Sequence, residues 1–275
     1  MIHPANESKG PVAEWDARAY HDRSRPHVAW GETVLERLSL RGDEIALDAG
    51  CGTGKLTAEL LRRLPRGKVI ALDRSQNMMD QARDFLGTEF LEQVSFVKTD
   101  LLDIELDREV DVIFSTATFH WVLDHPRLFR NLFRALRPGG SLIAQCGGGP
   151  NLARFFKRTT SILETPPYAP LFTDWIAPFY FADPTTTDTR LKAAGFVETE
   201  TNLQSAPTEF TNAEEYSAFI ETVILRDQLS WIPDKAQRQH LLGELTNHAA
   251  GDDPPWCLDY WRLNISARRP ENGDG

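Results

Sequence analysis

The sequence is poor in the residues that build a disulfide framework or a thiolate metal site. Three cysteines occur in 275 residues, Cys51, Cys146 and Cys257, an odd number set far apart with no CxxC pair. Long apolar runs are missing as well: DVIFSTATFHWVL is short and carries polar residues, so no membrane span is expected. The opening MIHPANESKGPVAEW holds no apolar stretch of the kind a secretory signal needs. Positive charge is in deficit, with 30 Lys plus Arg against 40 Asp plus Glu and a net charge of -10. That balance argues against extended contact with nucleic-acid phosphates, which needs a basic face. A composition of 41% hydrophobic and 25% charged residues is that of an ordinary globular chain. A cytoplasmic protein with neither nucleic-acid nor membrane partners is expected.

What is present is a regular alternation of short apolar runs and amphipathic segments. Residues 14–38 read as a helical lead-in broken at Pro26. EIALDAG (44–50), KVIALD (68–73), VSFVKTD (94–100), DVIFSTATF (111–119) and SLIAQCGGG (141–149) read as strands. Between them lie KLTAELLRRL, SQNMMDQARDFL with Ser75 as N-cap, and PRLFRNLFRALRPGG (126–140), which opens on proline and stops at Pro138-Gly139-Gly140. Strands alternating with helices of this length imply βαβ units and a parallel sheet. A sixth strand follows within 191–204, then helical segments near 212–228 and 234–248, then a final alternating run at 256–270. The expected class is α/β: a Rossmann-like, seven-stranded, mostly parallel sheet with flanking helices and a helical, aromatic-rich substrate lid. The expected divisions are a helical cap at 1–40, a core at 41–150, a lid insertion at 151–190, the end of the core sheet at 191–270 with a helical insertion at 210–256, and a disordered tail at 271–275.

The stretch ALDAGCGTGK (46–55) sets three glycines at alternate positions behind the first strand. A Walker A loop would need glycine where Ala49 stands and Ser or Thr where Leu56 stands, and both ends fail. The dinucleotide fingerprint would need a small third residue where Lys55 or Thr57 stands. A phosphate is therefore disfavoured. Backbone N–H groups at a helix N-terminus suit a carboxylate equally well, and Asp48 suits an amine beside it. Asp73, closing the second strand, stands where such folds accept hydrogen bonds from ribose hydroxyls. An amino acid joined to a nucleoside fits these parts, which points to S-adenosylmethionine.

With these motifs the chain resembles the class I S-adenosylmethionine-dependent methyltransferases: ALDAGCGTG (46–54), VIALDRS (69–75), VKTDLLD (97–103), VDVIFSTATFHWVLD (110–124) and LRPGGSLI (136–143) come in that family's order. WDARAYHDRS, FHW and WRLNISARRP are similar to the trans-aconitate and juvenile-hormone-acid methyltransferase relatives, which methylate carboxyl oxygens. The resemblance implies that Gly50, Gly52 and Gly54 line the methionine part of the cofactor with Asp48 near its amino group. It implies further that Asp73 binds the ribose diol with Arg74 beside it, and that Asp100, Leu101 and Met78 or Met79 surround the adenine. Ser115 and Thr116 would sit near the sulfonium, and Tyr20 and Ser24 would close over the cofactor.

His120 is the candidate catalytic residue, either as general base or as an orienting group, with a histidine wedged beside Trp121 as the bland alternative. His120 and His125 lack the spacing of helical metal ligands, and no metal is expected. TPPY (165–168) lies too late in the chain for an amino-methylating loop and reads as a turn. Arg154, Lys157 and Arg158 share a helical face that serves either an anionic substrate or solvent. The expected function is in-line methyl transfer to a small-molecule acceptor, a carboxyl or hydroxyl oxygen first, leaving S-adenosylhomocysteine. A C- or N-methyltransferase of a small metabolite, or a non-catalytic S-adenosylmethionine-binding protein, are the alternatives. The acceptor and the oligomeric state are not read from the sequence.

Overall fold

The computed structural model describes residues 14–23 and 25–271. In chain order the elements are α1 (Ala17–Arg23), α2 (Arg25–Leu35), β1 (Ile45–Ala49), α3 (Lys55–Arg63), β2 (Lys68–Asp73), α4 (Gln76–Leu86), β3 (Val94–Lys98), β4 (Val110–Thr116), α5 (His125–Ala135) and β5 (Leu136–Gly147). After these come α6 (Ala153–Leu163), α7 (Pro184–Ala193), β6 (Val197–Ser205), β7 (Thr208–Glu209), α8 (Ala213–Phe219), α9 (Arg226–Ser230), α10 (Lys235–Ala250), β8 (Cys257–Leu258) and β9 (Trp261–Arg268). They group into two compact units. Glu14–Asn151, Phe179–Ser205 and the chain from Trp261 form one, and Leu152–Pro178 with Ala206–Tyr260 form the other. These boundaries differ from the composition-based divisions, most clearly at residues 14–40, where Val34 and Leu35 of α2 are buried in the core of the sheet unit.

The sheet unit carries seven strands in the order β3-β2-β1-β4-β5-β9-β6. The first five pair in parallel, and β9 runs antiparallel between β5 and β6. Central strands covered on both faces read as continuous apolar runs, and β1 is buried along Ala46–Ala49. One face packs Leu47, Ile113, Leu142 and Ile265 against Phe129, Leu132 and Leu191. The other packs Ala46, Val69, Val112 and Phe114 against Val34, Leu60 and Leu61. Strand order reverses between β1 and β4, so their carboxyl ends diverge and leave a crevice, the position where open sheets of this type take ligands.

The helix expected over 126–140 ends instead at Ala135, and Leu136 already belongs to β5. Pro138 disfavours a helical Arg137, and Gly139 takes a φ of +76° that ends the turn. The guanidinium of Arg269 donates to the carbonyls of Phe133 and Leu136, satisfying groups that a helix end leaves open. The run 256–270, read as one strand, is split at Asp259-Tyr260 into β8 and β9, which belong to different units. Of the expected tail only Glu271 is among the described residues.

The second unit is built mainly of α6, α8, α9 and α10, with a π-helical turn at Ile220–Ile224 and the two-stranded pair β7–β8. Aromatic side chains fill it: Phe155, Tyr168, Tyr216 and Phe219 are buried, and Phe172 stacks on Trp231 at 6.5 Å. Arg158 meets Asp252 in a two-point ion pair of 2.8 and 2.5 Å, and Arg154 donates to the Cys257 carbonyl at 2.6 Å. Those two cations of the Arg154-Lys157-Arg158 face therefore fasten the unit internally. Tyr168 of TPPY is likewise structural, its hydroxyl donating to the Gln237 carbonyl at 2.9 Å.

His125 joins α5 to α7 within the sheet unit. Its Nε2 donates to the Phe119 carbonyl at 3.0 Å while Arg190 donates to Nδ1 at 3.3 Å, a pattern only a neutral imidazole can adopt. Burial, with the Arg190 charge adding to it, lowers its pKa from 6.5 to about 4. Between those values the unfolded chain binds the extra proton, so stability falls as the pH drops from 6.5 toward 4. The loss is on the order of 3 kcal/mol. Urea-unfolding midpoints measured across that interval are expected to slope for the wild type and to flatten for His125→Asn.

Candidate functional site

The glycine loop leaves β1 at Ala49 and turns back over β2, where the amides of Gly50 and Cys51 both donate to the Leu72 carbonyl at 2.8 and 2.9 Å. Gly50 has a φ of +90°, and a Cβ built there would lie 2.2 Å from Thr118 Oγ1, so two loops meet at a point that admits no side chain. At Gly52 (φ +53°) a Cβ would meet nothing within 4 Å. One glycine is required for close approach, and the other faces open space.

Two acids stand under this loop. Asp73 Oδ2 accepts from the Gly52 amide at 3.0 Å and Oδ1 from the Ser75 amide at 2.9 Å. Each oxygen keeps further lone-pair capacity for a ligand. Burial raises the Asp73 pKa, opposed by these backbone donors. Asp48 is 2% exposed, and Thr57 donates to its Oδ2 at 2.7 Å. Burial, reinforced by the neighbouring Asp73, pushes its pKa up to about 7. Burial also holds the Cys51 thiol well above its ordinary range, so it is no nucleophile.

At the β1–β4 divergence these groups border a cleft with about 690 Å³ of empty space, walled by Trp15, Asp73, Arg74, Met78, Asp100, Leu101 and Trp121 among others. A second compartment, with about 450 Å³ of empty space, is bordered by Asp48, Cys51, Thr53 and Lys55. Tyr20, Gly50, Gly52, Thr116 and Ala117 border both. Asp100 starts the turn Leu101–Asp103 by accepting from the Leu102 amide at 2.9 Å, and it lies 3.7 Å from Arg74. Ala117, at the end of β4, holds a φ of +53°, a left-handed conformation in a non-glycine residue next to the cleft.

Of the residues singled out in the sequence, Tyr20, Asp48, Gly50, Gly52, Asp73, Arg74, Met78, Asp100, Leu101 and Thr116 border this double cleft. Gly54 and Ser115 do not. Gly54 precedes α3 with a φ of +82° and packs on Ala82, where a Cβ would come within 3.1 Å. The Ser115 hydroxyl donates to the Ala49 carbonyl at 2.6 Å and bridges β4 to β1. Ser24 lies outside the described residues. His120 is in the lining of neither compartment; its ring lies 5.1 Å from the Trp121 indole and 5.7 Å from Phe181, and its Nδ1 accepts from the Gly147 amide at 3.3 Å. Trp15, Thr118, Trp121 and Lys55 went unselected. Trp15 and Trp121 lie in the stretches WDARAYHDRS and FHW, but the sequence assigns them no site role, and it is folding that brings them to 5.7 Å from each other.

Residues 47–144 match the family model described as a methyltransferase domain. The trans-aconitate 2-methyltransferase of Acidovorax sp. (strain JS42) is 36% identical over 132 residues, which covers 48% of this chain and 49% of that one. The chain thus spans about half the length of the curated relatives of this name. An uncharacterized methyltransferase of Schizosaccharomyces pombe is 27% identical over 279 residues, covering 94% of this chain and 99% of that protein. Among solved structures, phosphoethanolamine N-methyltransferase 2 of Haemonchus contortus in complex with S-adenosyl-L-methionine is similar with a TM-score of 0.61 at 18% identity, over 93% of this chain and 57% of that one. The [4+2]-cyclase SpnF is similar with a TM-score of 0.59 at 19% identity, over 96% and 90%. Both likenesses show the fold.

Holding Asp48 in this loop has a stability consequence. Its folded pKa, about 7, lies above its ordinary 3.8, so the folded chain binds the extra proton in between and loses stability as the pH rises through that interval. Asp48→Asn keeps an acceptor for Thr57 and removes the charge. The ligand-free variant is expected to melt several degrees above the wild type at pH 8, with the gap shrinking to roughly a third at pH 5 and closing below pH 4. Equal melting points at pH 8 would contradict the assignment.

Proposed function

We propose that this chain, whose residues 47–144 match the methyltransferase-domain model, binds S-adenosylmethionine in the double cleft and methylates a carboxylate oxygen of a small molecule. One observation carries the cofactor half of this reading: the two compartments share their glycine-lined border, one lined by Asp73, Arg74, Asp100 and Leu101, the other by Asp48 and the loop amides. That layout suits a nucleoside joined to a zwitterionic amino acid. The fit is supported by the open space at Gly52 and by Asp73, whose oxygens each use one backbone donor and can take ribose hydroxyls. Asp48 would hold the ammonium group, and Leu101 and Met78 would pack on the base.

When bound, the cofactor supplies a methyl group already activated by a sulfonium. The chain's own tasks are then to orient the acceptor and to exclude water. We assign the first task to His120 from its place beside Trp121, which borders the larger compartment. Because the Gly147 amide donates to Nδ1, the ring proton sits on Nε2, and the side chain acts as a hydrogen-bond donor rather than a base. A donor suits an acceptor that is anionic at neutral pH, which a carboxylate is and a hydroxyl is not. The relatives named for trans-aconitate support the same acceptor class. Cys51, Cys146 and Cys257 are buried free thiols, the state that a reducing compartment such as the cytoplasm maintains.

Titration calorimetry with S-adenosylhomocysteine is expected to show one site on the purified chain. Asp73→Ala is expected to weaken it by roughly tenfold or more, the size of lost charge-assisted hydrogen bonds. Gly52→Ala is expected to keep the fold and lose uptake, since its methyl group fills ligand space. Absence of uptake by the unaltered chain would overturn the reading. For the acceptor, deuteriomethyl-labelled cofactor is incubated with trans-aconitate and with a metabolite extract, and a mass-shifted ester is expected. His120→Gln, which keeps a donor, is expected to retain more activity than His120→Ala. A rate that falls with acid near the imidazole pKa in the wild type, but not in His120→Gln, would restore the base role.

A further inference from the structure

The border shared by the two compartments has a chemical meaning if one ligand occupies both. The atom joining an amino-acid end to a nucleoside end must lie there, and in S-adenosylmethionine that atom is the charged sulfur. Tyr20 stands on this border. Trp15 meets Tyr20 edge to face, with ring centroids 5.3 Å apart and planes at 69°. Trp15 also meets Trp121 edge to face at 5.7 Å and 83°. Both tryptophans border the larger compartment. Three aromatic rings, two of them steeply inclined to Trp15, thus border the cleft. Burial holds the Tyr20 phenol at a pKa of about 12, so its ring stays neutral at working pH.

We propose that Trp15, Tyr20 and Trp121 form an aromatic corner that recognises the positive charge of a sulfonium, so that the cleft distinguishes the charged cofactor from its neutral thioether product. The inference rests on the S-adenosylmethionine reading and adds to it a contact at the charged sulfur itself, where the glycine loop meets only parts common to both molecules. An aromatic face attracts a cation through its quadrupole, most strongly for tryptophan and where water is excluded. Asp48 and Asp73 also favour positive charge, but their contribution does not depend on the rings. An apolar lining without this role would bind the two ligands with equal dependence on the tryptophans. The corner makes a different demand: removing a π face must weaken one ligand selectively.

The test is calorimetry on the full chain at pH 8 with S-adenosylmethionine and S-adenosylhomocysteine, which differ by one methyl group and its charge. Trp121→Leu and Trp15→Leu are each expected to reduce the preference for the charged ligand by roughly fivefold or more, the range of a desolvated cation–π contact. Trp121→Phe, which keeps a π face, is expected to move it by less than about twofold. Should a leucine variant fail to fold, fluorinated tryptophans incorporated in the wild-type sequence weaken the faces without changing their shape. Affinity for S-adenosylmethionine is then expected to fall with each added fluorine while that for S-adenosylhomocysteine holds. Parallel losses for both ligands, or equal effects of leucine and phenylalanine, would overturn the corner alone. No uptake of either ligand by the wild type would remove the cofactor reading and the corner with it.

Discussion

The site depends on one carboxylate. Asp73 closes β2 and holds two backbone amides, that of Gly52 in the glycine loop and that of Ser75 at the start of α4. Through these bonds it fixes the loop across the end of the neighbouring strand and sets the direction in which α4 leaves. Ser75 in turn donates to Glu14 at 2.6 Å and Asn77 donates to the Trp15 carbonyl at 2.9 Å, so the lead-in segment is fastened to the same corner. The Leu72 carbonyl and the packing of Cys51 with Ala71 and Met79 also hold the loop, but the acid is what ties it to the start of α4 by paired hydrogen bonds.

Placing Asp48 and Asp73 together under the loop costs stability, because each burial disfavours the charged form and each acid works against the other. The arrangement makes sense as a site awaiting positive charge. A ligand carrying an ammonium group and a sulfonium would offset what the folded chain gives up. Ala117 follows the same logic in the backbone: its left-handed conformation is tolerated at the end of β4, where the Ala117 amide donates to the Gln145 carbonyl at 2.8 Å. Function and stability are opposed at these positions, and the large apolar core on both faces of the sheet holds the balance.

His120 illustrates how a hydrogen-bond partner changes what a residue can do. As a residue type it suits either acid–base work or orientation. The Gly147 amide donates to Nδ1, and the role proposed for the side chain is therefore that of a donor through Nε2. The fold itself carries no such information, since one scaffold supports many reactions and the site decides among them.

The sequence by itself determined the strands, their parallel pairing and the acid–glycine–acid signature, because those rest on local periodicity and on residue types at fixed spacing. Asp48, Gly50, Gly52, Asp73 and Asp100 were legible for that reason. Gly54 and Ser115 belong to the same motifs, yet a motif states spacing and not direction, and only the packed strands show that they face Ala82 and the Ala49 carbonyl. The end of α5 was misread because its stop comes from Arg269, remote in the chain, as much as from Pro138. Trp15 and Trp121, the two compartments and the tautomer of His120 were decided by tertiary structure alone. Each is a relation between residues distant along the chain, and such relations exist only once the sheet has brought them together.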